Sequence, residues 1–183
     1  MICKIIRSNR KTFGLEVKAE GLIIKAPLQV SDEEINLFIL KHKAWIGKNL
    51  NRAEQRQKEI DALEPFTSEE IQELGAKALK VIPEKVQYYA PKVGMNYGRI
   101  TIRNQRSRWG SCSAKGNLNF NCLLMLTPSE VIDSVVVHEL CHRKETNHSE
   151  RFYKEVIRVM PDYWTWDKWL KENGDLLMKR MTR

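Results

Sequence analysis

The chain lacks the features that would place it in a membrane or on an export route. No apolar run approaches the roughly 20 residues that a bilayer-spanning helix needs. The opening Met1-Ile2-Cys3-Lys4-Ile5-Ile6-Arg7 has no apolar h-region of a signal peptide. Four cysteines, at positions 3, 112, 122 and 141, form no C-x-x-C pair and no tight framework. They read as reduced thiols, and the expected compartment is the cytoplasm. Internal repeats and low-complexity tracts are also missing. What remains is a 183-residue chain with 42% hydrophobic and 30% charged residues, ordinary values for a soluble globular protein able to bury a core.

Acidic residues are missing from one stretch. The net charge is +8, yet residues 65–98 and 128–183 are each neutral. The excess lies in residues 1–64 and in 99–127, where Arg99, Arg103, Arg106, Arg108 and Lys115 meet no acid. Such a segment suits an anionic partner, nucleic acid or an acidic substrate, and equally a solvated basic face.

Histidine is scarce too, with four in the chain, and three of them fall within the eleven residues His138 to His148. The run opens with H-E-x-x-H. On a helix, His138 and His142 lie one turn apart on one face, near enough to share a metal ion. Glu139 sits about 100° round, where its carboxylate reaches a water on that metal. If the helix ran on to His148, that side chain would point roughly 240° away from His142. The chain must therefore leave the helix after about Lys144 and turn back, with Asn147 as the residue that tolerates left-handed backbone. Asn147 with Glu150 also reads as a cap for a following helix. Thr127-Pro128-Ser129-Glu130 reads as the start of the motif helix, with a cap, a proline at the first position and an acid at the third. A structural zinc site would be closed by a fourth ligand, for which Cys141 is the nearest thiol, and would have no need of Glu139. A zinc-dependent hydrolase is the leading reading.

Two sections surround the motif. The first has strand-like runs at Lys4-Ile5-Ile6, Phe13 to Val17 and Leu22 to Ala26, with Gly21 at a hairpin turn. Ser31 to Glu34 caps a helix whose apolar residues run from Ile35 to Leu50, with His42 packed on the same stripe. Pro65 marks the boundary between the expected domains, 1–64 and 65–183. The second section starts at the capping pattern Thr67 to Glu70, and Pro83 is expected to kink or break its helix. A strand over 99–103 is expected to pair antiparallel with an alternating strand from Asn117, across the loop 104–116. Tyr163, Trp164, Trp166 and Trp169 near the C-terminus read as aromatics that close a core.

These residues carry a family resemblance over nearly the whole length. Arg10-Lys11-Thr12, Trp45-Ile46, Arg106-Ser107-Arg108-Trp109-Gly110-Ser111-Cys112, Val135 to His142, Asn147-His148-Ser149 with Phe152, Pro161-Asp162-Tyr163 and Trp169-Leu170 resemble the YgjP-like zinc metallopeptidases, which are similar in turn to the SprT-like zinc proteases. The resemblance implies an α+β fold. It comprises a zincin-like catalytic domain with a small antiparallel sheet and an H-E-x-x-H helix, preceded by an N-terminal β-hairpin and helix subdomain. It also implies Zn²⁺ held by His138, His142 and His148, with Glu139 as the base.

The expected activity is hydrolysis of peptide bonds by a metal-activated water, with a protein or peptide as substrate. Arg106, Arg108 and Tyr163 are candidates for holding substrate or its oxyanion. Asn119 and Asn121 are candidates if strand 117–121 lies at a sheet edge and aligns an extended peptide. The segment 106–112 reads either as a substrate loop or as a turn held by Trp109 and Gly110. The alternative function is a nucleic-acid-associated zinc domain, or a protease acting on DNA-bound proteins, with nucleic acid held by the basic segment 99–127.

Overall fold

The computed structural model describes residues 2–18 and 20–181. Met1 and residues 182–183, the outer ends of the two expected domain ranges, lie outside the described residues. The described chain is mixed α and β, with two three-stranded sheets and six α-helices. It divides into one compact unit that ends at Leu63 and a second that begins at Glu64.

The first unit contains β1 (Ile2–Ser8), β2 (Gly14–Lys18) and β3 (Gly21–Pro27), in the order β1-β3-β2. Strand β3 pairs antiparallel with β2 and parallel with β1. Strand β3 opens at Gly21, whose φ of 143° is open to glycine alone at little cost. Helix α1 (Asp32–Lys41) starts at a complete capping box between Ser31 and Glu34. The single helix expected here divides at His42, which leaves helical backbone and donates from Nδ1 to the Phe38 carbonyl at 2.8 Å. Helix α2 (Lys43–Asp61) follows. Leu22, Ile24, Ala26, Ile35 and Ile46 form this unit's core.

In the second unit, α3 (Ser68–Val93) begins at the Thr67–Glu70 capping box and ends at Gly94 in left-handed backbone, φ 75°. The break expected at Pro83 does not occur, and the helix continues through it. Ala78, Ile82, Val86, Ala90 and Val93 recur at helical spacing and are all buried, and this packing outweighs the hydrogen bond that Pro83 removes.

The sheet of this unit holds β4 (Ile100–Arg103), β5 (Gly110–Cys112) and β6 (Leu118–Asn121), in the order β4-β6-β5. The antiparallel pairing expected between the first and last of these is corrected: β4 and β6 are parallel, with Ile100 opposite Leu118. The reason is local. Residues 113–117 make a tight turn, with Ser113 N donating to Asn117 O at 2.9 Å and Gly116 at φ 81°. That hairpin gives β5 the antiparallel place beside β6 and leaves β4 the other side. The sheet is therefore mixed, not antiparallel.

After β6 the chain enters a 3₁₀ turn, Cys122–Leu126, started by Asn121 Oδ1 accepting from Leu123 N at 3.1 Å. Three helices complete the unit: α4 (Ser129–Cys141), α5 (Glu150–Val159) and α6 (Tyr163–Lys179). Pro128 occupies the cap position of α4, and Thr127 instead donates to Leu124 O at 2.8 Å. Lys85 on α3 anchors the start of α4 through Asp133 at 2.6 Å and Ser129 Oγ at 2.8 Å. Val131, Val136, Val137, Leu140 and Cys141 bury the rest of α4. Of the tryptophans expected to close the core, Trp166 packs partly against it, while Trp164 is 47% exposed. Among the described residues no helix is long and apolar enough to cross a membrane.

Candidate metal centre and active site

The end of α4 is shaped by short-range hydrogen bonds. The helix stops at Cys141, and Arg143 N and Lys144 N donate to Leu140 O and Cys141 O at 3.0 and 2.9 Å. These i to i−3 bonds tighten the last turn and reverse the chain without a left-handed residue. The expectation for Asn147 is corrected on both counts. No described non-glycine residue has positive φ, and the cap of α5 is Ser149, whose hydroxyl accepts from Phe152 N at 3.3 Å. Glu155 on α5 fastens the turn by holding Lys144 at 2.8 Å and Arg158 at 3.0 Å, cations that keep its carboxyl below the usual range.

The turn brings three imidazoles together. His138 Nε2 lies 3.2 Å from His142 Nε2 and 3.0 Å from His148 Nε2. The three ligand atoms fall within 4.8 Å of one another. The outer nitrogens have partners. His142 Nδ1–H donates to Glu145 O at 3.1 Å, and His138 Nδ1 pairs with the Tyr163 hydroxyl at 2.9 Å. With the proton on Nδ1, each of these rings turns an Nε2 lone pair inward. Lone pairs this close repel unless a cation lies between them. Bonds of about 2.05 Å in a tetrahedral site would set such nitrogens roughly 3.3 Å apart, so the donor set fits zinc. Burial, then its two histidine neighbours, pushes His138 down to about 3, and burial lowers His142 as well. Both are thus held in the neutral form that binds metal. The fully buried Phe152 packs against all three rings, with centroids 4.9, 4.5 and 5.0 Å away.

Glu139 projects from the same helix towards β5. It is 6% exposed, and among the described residues its carboxylate makes no hydrogen bond or ion pair. Burial pushes its carboxyl up to about 8, with the Arg108 guanidinium pulling the other way. Gly110 makes room for it, because a Cβ there would lie 2.7 Å from both Cγ and Oε1 of Glu139. Trp109 is seated in turn on Gly174, where a Cβ would come within 2.7 Å of the indole. Sequence reading gave Gly110 only a place in a turn. The available signal was a glycine opening a strand, which often marks a close approach by another group. Cys141 is fully buried, its thiol raised to about 12 chiefly by burial, and it packs as an apolar residue.

Two cavities meet at His138 and Glu139. One, of about 250 Å³, is walled by Trp109, Val135, Tyr163 and Leu170. The other, of about 480 Å³, runs past Ser111, Cys112, Ser113, His142 and His148. Arg108 and Gly110 line both. The remaining substrate candidates fall elsewhere. Strand β6 is central and paired on both sides, so the edge role given to residues 117–121 is corrected. Asn119 donates to Ser111 Oγ at 3.1 Å. Asn121 is fully buried and donates to the carbonyls of Gln105 and Arg108 at 2.7 and 3.0 Å, leaving it to brace the loop from beneath. Tyr163 is the exception: it pairs with His138 and also walls the smaller cavity, whereas Arg106 is exposed and lines neither cavity.

Comparison with protein families names the class to which this site belongs: a metallopeptidase, a hydrolase that depends on a metal ion. The match is to the YgjP-like, metallopeptidase domain over residues 11–77 and 69–173, and the chain belongs to that family. Comparison with curated proteins gives no match. Similar solved structures include the metallopeptidase zymogen abylysin of Pyrococcus abyssi, with TM-score 0.46 and 20% identity over 51% of this chain and 95% of that one. The metallopeptidase zymogen jannalysin of Methanocaldococcus jannaschii gives 0.46 and 19%, over 51% and 96%. Wss1 from Saccharomyces cerevisiae gives 0.39 and 18%, over 52% and 78%.

Proposed function

We propose that the chain is a zinc peptidase in which His138, His142 and His148 hold the metal and Glu139 is the general base. The chemistry belongs to the 65–183 domain, with 1–64 as a separate domain. The observation that carries the reading is the convergence of three Nε2 atoms, with His138 3.2 and 3.0 Å from the other two, beside the Glu139 carboxyl that lines both cavities.

When bound, zinc supplies a Lewis acid and lowers the pKa of a coordinated water to roughly 7. Glu139 takes the proton of the attacking water and passes it to the leaving amine. Tyr163 and the Glu145 carbonyl hold their imidazoles in orientation and tautomer. The edge strand beside the site is β5. Asn121 N donates to Trp109 O and Ser113 N to Asn117 O, each at 2.9 Å, so the odd-numbered residues of β5 pair inward. Gly110 and Cys112 then turn their backbone groups to the open edge, where an extended peptide adds as a further strand.

Replacing Glu139→Gln keeps one metal per chain and lowers peptide hydrolysis by about a thousandfold or more. Activity within about tenfold of the wild type would remove Glu139 from the role. A second reading, a protease acting at nucleic acid, is favoured by one observation. Among the described residues none of the five basic side chains of 99–127 has a hydrogen-bond or ion-pair partner. It requires salt-sensitive DNA or RNA binding that weakens when Arg103, Arg106 and Arg108 are neutralised.

A further inference from the structure

Among the described residues Arg108 is the only cation lining either cavity at the centre, apart from the histidines, and it lines both. Its backbone is fixed from both sides. The buried Asn121 side chain holds its carbonyl at 3.0 Å, and Asn121 N holds the carbonyl of the next residue, Trp109, at 2.9 Å. Its side chain is exposed, and among the described residues the guanidinium makes no hydrogen bond or ion pair. The carboxylates near it are accounted for. Asp167, which lines the smaller cavity, is held by Lys171 at 2.6 Å, and Glu139, which lines both, is buried, which favours its uncharged form. An arginine anchored at its backbone and unpaired at its tip, over a cleft, is suited to a bidentate anion.

The strand direction says where that anion lies. From Trp109 to Ser113 the chain passes from the smaller cavity, which Trp109 lines, to the larger one, which Ser111 to Ser113 line. Antiparallel pairing is the more stable and the commoner arrangement. A peptide laid antiparallel on β5 therefore runs from the larger cavity, across Glu139, into the smaller. The residue after the cleaved bond enters the smaller cavity, whose roughly 250 Å³ takes a single side chain between Trp109, Val135, Tyr163 and Leu170. Arg108 stands at its mouth.

We infer that Arg108 makes this enzyme select substrates bearing a carboxylate on the residue that follows the cleaved bond. This rests on the peptidase reading above. The same chemistry has two sources: the terminal carboxylate of a last residue, released singly, or the side chain of an internal Asp or Glu.

The test uses the zinc-loaded full chain and four peptides of one parent sequence. One ends in a free acid one residue beyond the scissile bond, and one is its terminal amide. The other two are internal sequences with Glu or Gln at that position. In one of the two pairs the acidic member is cleaved with kcat/KM at least about tenfold higher, mostly through KM. The pair that shows it names the source. Arg108→Gln abolishes the preference, Arg108→Lys retains part of it, and Arg106→Gln leaves it intact. Equal cleavage of both pairs by the wild type overturns the inference while leaving the peptidase reading in place, and needs no variant to fold. A preference that persists in Arg108→Gln overturns it too. No cleavage of any peptide overturns both.

Discussion

The two sheets share one plan. Each has its third strand in the middle, parallel to the first and antiparallel to the second, β1-β3-β2 and β4-β6-β5. In each the second strand opens with a glycine on which a charged side chain packs. At Gly14 that side chain is Arg10, 3.0 Å from where a Cβ would lie, and at Gly110 it is Glu139, at 2.7 Å. The difference is where the charge comes from. Arg10 belongs to the loop leading into its own strand and closes that unit locally, with its Nε buried and unpartnered. Glu139 arrives from α4, the helix that carries His138 and is capped by His142. Strand order alone therefore confers no chemistry. The candidate site arises where an edge strand accepts a side chain from the helix that leads into the histidine cluster.

The sharpest way to break the comparison is to fill both glycines. Gly110→Ala places a methyl against Cγ and Oε1 of Glu139, which must retreat by about 1 Å to regain ordinary contact. Displacement on that scale lowers kcat/KM about a hundredfold with metal content unchanged. Gly14→Ala presses only on the flexible end of Arg10 and leaves hydrolysis within about twofold. Equal losses in the two variants would remove the distinction.

A second test is the acid–base profile of stability in the metal-free protein. His138 titrates near 3 when folded against an ordinary 6.5, so the unfolded chain binds the proton first, and stability falls as pH drops from 6.5 to 3. Glu139 titrates near 8 against 4.5, so the folded chain keeps its proton longer, and stability falls as pH rises from 4.5 to 8. Between 4.5 and 6.5 the two slopes cancel. Denaturant melts should show only the shallow acid-side fall that His142 adds in that window, and a loss on the order of 2 kcal/mol at pH 8 and somewhat more at pH 3. A profile rising steadily from pH 4 to 8 would contradict the burial of Glu139.

The smallest expected effect is that of Tyr163→Phe, which removes the hydrogen-bond partner of His138 Nδ1 and weakens zinc binding about tenfold in a chelator competition. Unchanged affinity would mean that the phenol only fills space.

Residues that act within one element were legible in the sequence. Ser31 with Glu34 and Thr67 with Glu70 form their caps through contacts three residues apart. The H-E-x-x-H spacing puts His138 and His142 on one face whatever surrounds them. What could not be read depends on partners distant in sequence. The parallel placing of β4 follows from the β5–β6 hairpin, and Pro83 survives in α3 because its neighbours are buried. Tyr163 behind His138 and Gly110 beneath Glu139 each join elements whose pairing no local pattern specifies. The turn to His148 was predictable in kind, since geometry demanded it. Its means, tightened backbone bonds in place of left-handed Asn147, was not.

The zinc K-edge absorption spectrum of the metal-loaded protein tests the central claim most directly. An open three-histidine centre predicts three nitrogen neighbours at about 2.0 Å and one oxygen that a small-anion inhibitor displaces. Cys112 lines the larger cavity beside the histidines, so a sulfur neighbour at about 2.3 Å is the alternative. That result would mean a closed structural site and would contradict the catalytic account.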